Sequence, residues 1–390
     1  MTVLPSTVEI LHLSTGHMGG AGLAARRLNS ALNDAGINSR FLALADKGFI
    51  PSKNEIAYER KISKKIKGKV LSLVNPFFSR YVLFTPISVN ALSIKAIKKI
   101  ANPTTTILHI HNWFNLLNEK GIRDLEKIGY RIVLTLHDQR FFTGGCHYSL
   151  NCDGFESKCG HCPLIRKPMR FIPRYRLYKN KLLFQNSRIQ LLAPSMWIKA
   201  QSDIGIVGSR FDSHFIPNFG FNKNYLTRGL KLRTDKFVVG IASMDQYSYV
   251  KGGDITAELK LRLDASSNLA EIIFLSEIVK NAGTEETFWN SIDCLMVASR
   301  ADNSPNVIHE AKIYNVPIIA TSVGGISELL DPQFDVSISP ENLSVESLMQ
   351  AIEKVRSHDY KVTDLARMKA RYNHYASAAM QLLLDTYEKL

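Results

Sequence analysis

Asp302 and Glu310 stand with seven residues between them within 299–330, SRADNSPNVIHEAKIYNVPIIATSVGGISELL. Ionised carboxylates accept hydrogen bonds and donate none. The surrounding pattern says what must hold them. Residues 294–298, CLMVA, form a short apolar run that reads as a buried parallel strand. A polar turn follows, closed by Pro305-Asn306, and proline suits the first turn of a helix because its missing N–H is not needed there. A helix is expected from Asn306 to about Tyr314, then a second buried strand over 316–320, VPIIA. Gly324-Gly325 opens another turn, and 326–330 is expected to start a further helix. Both helix N-termini would leave the carboxyl edge of one parallel sheet. Open α/β folds bind ligands at that edge, and free N–H groups meet anions there.

This order of features resembles the E-x7-E region of the family-4 retaining glycosyltransferases, which have the GT-B fold. The family's usual form is a Glu, seven residues, a second Glu in "EA", then Pro with two aliphatics and a Gly-Gly loop. Glu310-Ala311, Pro317-Ile318-Ile319 and Gly324-Gly325 match in order and spacing, while Asp302 is one methylene shorter than the family's first Glu. The resemblance implies that Glu310 binds the donor ribose hydroxyls. It assigns the sugar hydroxyls to Asp302 and the amides after it, through Asn306, and counts Gly324 and Gly325 in the donor site.

The whole chain sets bounds on this reading. Its 390 residues suggest two or three domains, and a hydrophobic content of 45% supports a sizeable core. A formal net charge of +14 favours an anionic partner: nucleic acid, an anionic membrane surface or a phosphorylated substrate. No nucleic-acid-binding module is visible, so no nucleic acid is expected. No cationic-then-apolar leader and no membrane-spanning run are apparent, so the expected location is cytoplasmic, with peripheral attachment to the inner face of the cell membrane as an extension.

The N-terminal half repeats strand-loop-helix units. Residues 8–13 read as a strand, 14–22 as a glycine-rich loop and 23–35 as a helix, with a second strand at 39–43. Glycines let a backbone approach phosphate, but this spacing is neither the dinucleotide fingerprint nor a Walker A loop. The loop resembles the family's first loop, which implies that Gly19 and Gly20 face the donor diphosphate. Strands at 105–112 and 131–138 end in polar residues, with His109 and His111 on one face at period two. The family has similar "H-x-H" and "T-x-H-D" strands, and the resemblance makes His111 the sugar contact and His137 the next candidate; His109 reads as a hydrogen-bonded core or turn residue. The "A-P-S-x-W" segment at 193–197 and "I-P-N" at 216–218 also resemble the family.

Two basic stretches frame this half. In 60–74, Lys61, Lys64, Lys65, Lys67 and Lys69 alternate with Ile62, Ile66, Val70, Leu73 and Val74. That is the pattern of a helix on an anionic membrane, and equally of an ordinary surface helix. In 166–188, Arg170, Arg174, Arg176, Lys179 and Lys181 are interleaved with Phe171, Tyr175 and Tyr178. This stretch fits a phosphorylated acceptor, lipid headgroups or a solvated helix face. Between the two basic stretches, Cys146, Cys152, Cys159 and Cys162 fall within 144–163, the last pair as C-x2-C. That spacing lets two thiolates share a tetrahedral Zn²⁺. Structural zinc, disulfides, free thiols and an iron–sulfur cluster are the alternatives, and four protein ligands would leave no open position for catalysis. A similar Cys-rich insert occurs in the bacterial surface-polysaccharide members of the family.

The second half is expected to start a new sheet at 237–242 after a linker. The family has an Arg and a Lys-Gly pair after this strand, both cations clamping the donor diphosphate. Lys251-Gly252 matches, but 243–250 contains no basic residue. The expected architecture is α/β, a GT-B fold of two facing Rossmann-like domains with the active site in the cleft. Residues 1–218 would form the acceptor-side domain, 219–234 a linker, 235–370 the nucleotide-sugar domain and 371–390 a helix crossing back to the first. The implied activity is retaining, metal-independent hexosyl transfer from a UDP- or GDP-sugar to a saccharide or polyprenyl-linked acceptor. His111, Asp302 and Lys251 would carry the chemistry. The rival reading is a catalytically weak GT-B protein that binds a sugar nucleotide or a partner.

Overall fold

The computed structural model describes residues 4–46, 48–59, 84, 88, 90–219, 236–243, 247–266, 270–280, 284–358 and 362–390, with side chains of the last stretch from 375 onward. The basic stretch 60–74 therefore lies outside the described residues, as does most of the linker at 219–234. The chain divides into two compact units, one of 1–220 with 379–390 and one of 221–378.

The first unit is built on a seven-stranded sheet of β1 (Glu9–Ser14), β2 (Ser39–Leu44), β3 (Glu55–Tyr58), β4 (Thr106–Ile110), β5 (Arg131–Thr135), β6 (Gln190–Ala193) and β7 (Asp212–Phe215). The order is β3-β2-β1-β4-β5-β6-β7, and every pairing is parallel. Nearly continuous burial along β1, β4 and β5 is what a sheet covered on both faces requires. Its helices begin where short polar side chains cap free amides: Ser93 accepts from Ala96 N, Asn118 from Gly121 N and Ser195 from Ile198 N. The chain order reverses between β1 and β4, so the carboxyl ends of those strands flank this sheet's natural ligand position.

The second unit has a five-stranded sheet: β8 (Val238–Ile241), β9 (Glu271–Phe274), β10 (Cys294–Val297), β11 (Ile318–Thr321) and β12 (Val336–Ile338). The order β12-β11-β10-β8-β9 places its reversal between β8 and β10. Helices Gly253–Ser266 and Val345–Ser357 cover one face. The residues around Phe288 and Trp289, with helix Asn306–Ile313, cover the other. The helix Val362–Glu388 ends in residues that belong to the first unit.

Two local expectations change. The first long helix begins at Gly19 rather than Leu23, so Gly19 and Gly20 form its first turn instead of the loop before it. Residues 326–330 form turns and not a helix: Ile326 N donates to Val323 O and Leu329 N to Ile326 O, each three residues back. Pro332 lacks an N–H and opposes helix continuation. Asp335, which takes hydrogen bonds from Asp331 N and Ile318 N, turns the chain back toward β11.

Candidate functional site

The second unit gathers its predicted residues at the β8/β10 reversal. After β8 a short helical turn, Tyr249–Lys251, ends at Gly252 with φ +74°. A Cβ on Gly252 would lie 2.1 Å from Ala298 O at the end of β10, so the Lys251 loop reaches the β10 loop only with glycine here. Lys251 Nζ donates to Asp302 Oδ2 at 2.5 Å. Asp302 is buried, and its other carboxylate oxygen accepts from Asn303 N at 2.9 Å. Its main-chain carbonyl accepts from Gly325 N at 3.3 Å, joining the second glycine turn to the first loop. Gly324 carries φ +56°, which a Cβ would oppose. Asn306 opens helix Asn306–Ile313 behind an uncapped Pro305, and Glu310 lies one turn further on the same face, half-buried. The structure thus joins Lys251, Asp302 and Gly325 by hydrogen bonds, with Asn306 and Glu310 on the element that follows.

Sequence reasoning missed Arg300. It looks for an arginine within 243–250, whereas the structure brings one to that loop from the end of β10. The Arg300 guanidinium lies 3.9 Å from the Tyr249 ring centroid and donates to Tyr249 O at 2.7 Å. It also forms a two-pronged ion pair with Asp254, at 2.6 and 2.9 Å. Arg300 in turn draws the Asp254 carboxyl below the usual range. A guanidinium held by a carboxylate, a carbonyl and a ring fixes the loop rather than offering its charge to a ligand. No sequence signal marks the residue, because the contact spans about fifty positions.

In the first unit the mouth of the sheet is lined with imidazoles. Parallel register sets His12 on β1 beside His109 on β4. His12 Nδ1 lies 2.9 Å from His111 Nε2, and His111 Nδ1 lies 3.1 Å from His137 Nε2. Three rings are therefore linked in series, and both nitrogens of His111 are engaged. Among the described residues, His12 Nε2 has no hydrogen-bond partner. His109 is a separate core residue, bonded to Tyr387 OH at 2.6 Å and Thr135 Oγ1 at 2.7 Å. Among the described residues, His12, His109 and His111 form a group whose ligand atoms lie within 4.8 Å of one another. Five of the six ring nitrogens in that group are already hydrogen-bonded, and the His109 and His111 rings lie 4.1 Å apart at 31°. Hydrogen bonds thus engage all but one nitrogen of the group. Burial holds His109 and His111 well below the usual imidazole range and lowers His12 to about 3 and His137 to about 4. A cavity of about 30 Å³, room for about one water, lies against His109, His111, Thr135 and His137.

Gly19 and Gly20 are exposed on the same unit, and a Cβ on either would meet no atom within 4 Å. The glycine that packing requires is Gly22, where a Cβ would fall 2.4 Å from Gly16 O. The four cysteines of 144–163 line one cavity of about 210 Å³.

Comparison with known proteins now bears on these sites. Residues 239–358 match the family model of group 1 glycosyl transferases, and the Lys251, Asp302, Glu310 and Gly324-Gly325 positions all lie inside the match. The chain carries a group 1 glycosyltransferase domain. It is 24% identical over 304 residues to the Escherichia coli K12 protein named as colanic acid biosynthesis glycosyl transferase WcaC, covering 66% of this chain and 71% of that one. Among solved structures it resembles sucrose-phosphate synthase from Thermosynechococcus elongatus, with TM-score 0.64, 14% identity, and 98% and 100% of the two chains covered. HepE of Anabaena, solved with UDP-glucose, gives 0.60, 15%, 98% and 100%. The fold is GT-B. The group 1 domain accordingly owns the Lys251–Asp302 contact, while the imidazole chain and the cysteines belong to the other unit.

Proposed function

We propose that the protein moves a hexosyl group, with retention, from a nucleotide diphosphate sugar to a saccharide or polyprenyl-linked acceptor in the building of a bacterial surface polysaccharide. The observation that carries this reading is the meeting of Lys251, Asp302 and Gly325 at the sheet reversal of the group 1 domain. The names of WcaC and of the HepE complex with UDP-glucose support it. The donor is a UDP- or GDP-sugar. Glu310 binds the ribose hydroxyls, and Asp302 with the amides through Asn306 orients the sugar. Lys251 and the Asn306 helix N-terminus neutralise the charge that grows on the leaving diphosphate. These groups supply the needed positive charge, so the chemistry requires no catalytic metal. Gly19 and Gly20 take part in cradling phosphate, and His111, through the imidazole chain ending at His137, serves the sugar and acceptor.

The acceptor side also supports a peripheral place on an anionic membrane. On helix Phe171–Leu183, Phe171, Tyr175, Tyr178 and Leu182 share one face and are each more than half exposed. Arg174, Lys181 and Lys158 line the groove of about 490 Å³ beside them. Exposed aromatics flanked by cations suit a headgroup layer. Among the described residues no helix is long and apolar enough to cross a membrane.

The test pairs a titration of nucleotide diphosphate with a turnover assay. A charge-assisted hydrogen bond is worth about 1.5–3 kcal/mol. Glu310→Gln is therefore expected to weaken donor binding about tenfold or more with the fold intact. Equal binding and turnover by wild type and variant would remove the donor from this site. A wild type that binds a nucleotide yet never transfers or hydrolyses a sugar would instead establish the binding-protein reading.

A further inference from the structure

His12 and His111 are buried and His137 is partly exposed, so the series of three imidazoles runs from inside the first unit outward. A neutral imidazole carries one N–H and one lone pair. Each ring-to-ring contact, at 2.9 and 3.1 Å, therefore needs one proton between its two nitrogens. Burial holds His111 well below the usual imidazole range, so this ring stays neutral and donates from one nitrogen only. Two arrangements remain. In the outward one, all three rings carry the proton on Nδ1, and each N–H is directed along the series toward His137. In the inward one, all three carry it on Nε2, and each N–H is directed toward His12. No mixture of the two satisfies both contacts with neutral rings. His109 takes no part, because its nitrogens face Tyr387 OH and Thr135 Oγ1.

Two observations choose the outward arrangement. His12 Nε2 is buried and, among the described residues, has no hydrogen-bond partner. The inward arrangement would leave an N–H there without an acceptor, and orphaned buried N–H groups are rarer in native proteins than under-used acceptors. The outward arrangement leaves only a lone pair. At the other end Asp138 directly follows His137, and of the charged groups beside that ring its carboxylate outweighs Arg140. A negative charge at that end favours N–H groups directed toward it. We infer that His12 is a positioning residue, which donates from Nδ1 to His111 Nε2 and so makes His137 Nδ1 a hydrogen-bond donor at the sheet mouth. This rests on the proposed use of His111 and His137 toward the sugar and acceptor. What the outer ring then meets is an oxygen lone pair. A sugar hydroxyl bound there keeps its proton, because taking that proton up would place a charge in the series. The cavity of about 30 Å³ beside His111 and His137 has room for about one such oxygen.

The full-length protein, labelled with ¹⁵N at histidine, is studied by long-range ¹H–¹⁵N correlation near neutral pH, which shows the protonated nitrogen of each ring. His12→Asn, His111→Asn and His137→Asn each delete one set of signals and so assign the three rings. In wild type all three should carry the proton on Nδ1, by about tenfold or more over Nε2, since an unpaired buried donor is the costlier alternative. His12→Leu removes the donor into His111 Nε2, so His111 and His137 should shift toward the Nε2–H form or a mixture. His12→Gln, whose amide reaches the place of Nε2 and not of Nδ1, should do the same and covers the case in which the Leu variant fails to fold. His12→Asn sets an amide N–H close to where Nδ1–H stood and should restore the wild-type form of the other two rings. A proton on Nε2 of His137 in wild type overturns the assigned direction. A His137 unmoved in a folded Leu or Gln variant overturns the role of His12. The measurement needs no sugar donor or acceptor, so its failure is separate from failure of the transferase reading.

Discussion

Replacing Lys251 by Met removes the cation that faces Asp302 at 2.5 Å and keeps much of the side-chain volume. The Asp302 side chain is 8% exposed and that of Lys251 37%, so the pair sits between two regimes. Breaking a fully buried pair costs about 3–5 kcal/mol, whereas an exposed one contributes about 0–1. Asp302 retains the bond from Asn303 N in the variant, which offsets part of the loss. The expected cost of Lys251→Met is therefore about 1–2 kcal/mol in urea unfolding of the second unit. Asp302→Asn alone should cost about 0.5–1.5 kcal/mol, because it exchanges a charged acceptor for a neutral one. The double variant should be less destabilised than the sum, with a coupling of about 1–2 kcal/mol. Turnover should respond more strongly. Losing a group aimed at developing charge costs about a hundredfold or more, while nucleotide affinity falls less. Strictly additive unfolding costs would refute the claim that Asp302 holds Lys251. A turnover loss no larger than the affinity loss would refute the claim that Lys251 acts on the leaving group.

Gly252→Ala, at φ +74° and with Ala298 O 2.1 Å from the new methyl, should destabilise the group 1 domain by about 2 kcal/mol or more and weaken nucleotide binding; unchanged unfolding would show that the loop relaxes freely. The buried histidines predict acid sensitivity. His12 and His137 are lowered to about 3 and about 4 in the folded chain, against about 6.5 when unfolded, so the unfolded chain takes up protons that the folded one refuses. Their contribution is complete above about pH 6.5 and is lost as pH falls from there toward 4, at up to about 1.4 kcal/mol per pH unit for each ring; a flat melting temperature between pH 7 and 5 would contradict this. Replacing Phe171, Tyr175 and Tyr178 together by Ser should reduce sedimentation with anionic vesicles and leave soluble-donor hydrolysis intact; equal partition onto neutral and anionic vesicles would argue against a membrane face.

The parallel sheets were legible in the sequence because buried parallel strands read as continuous apolar runs, as at 294–298 and 316–320. β3 and β12 were not, since EIAY and VSI are short, incompletely buried edge strands with little hydrophobic contrast. Asp302 and Glu310 were legible as a spacing, because they lie on one loop and the helix after it. Arg300 and His12 were not, because each is made relevant by an element distant in the chain: one by the turn at Tyr249, the other by the register of β1 against β4. The glycines divide in the same way. Sequence points to Gly19-Gly20 and Gly252, whereas backbone crowding is what makes Gly22 and Gly252 necessary.

The bond between His109 and Tyr387 joins positions 278 residues apart, yet both belong to the first unit. Leu383, Leu384 and Tyr387 are almost fully buried in a body whose other residues end near position 220. During synthesis, the first unit must therefore wait, with an apolar seam open, while the whole second unit leaves the ribosome. Closing so long a loop adds only a slowly growing entropic cost, but it delays completion until the second unit has emerged. Damage to the helical turns around Tyr387 would thus be felt far away in sequence, at the buried His109 of the first unit, while sparing the group 1 domain that precedes them.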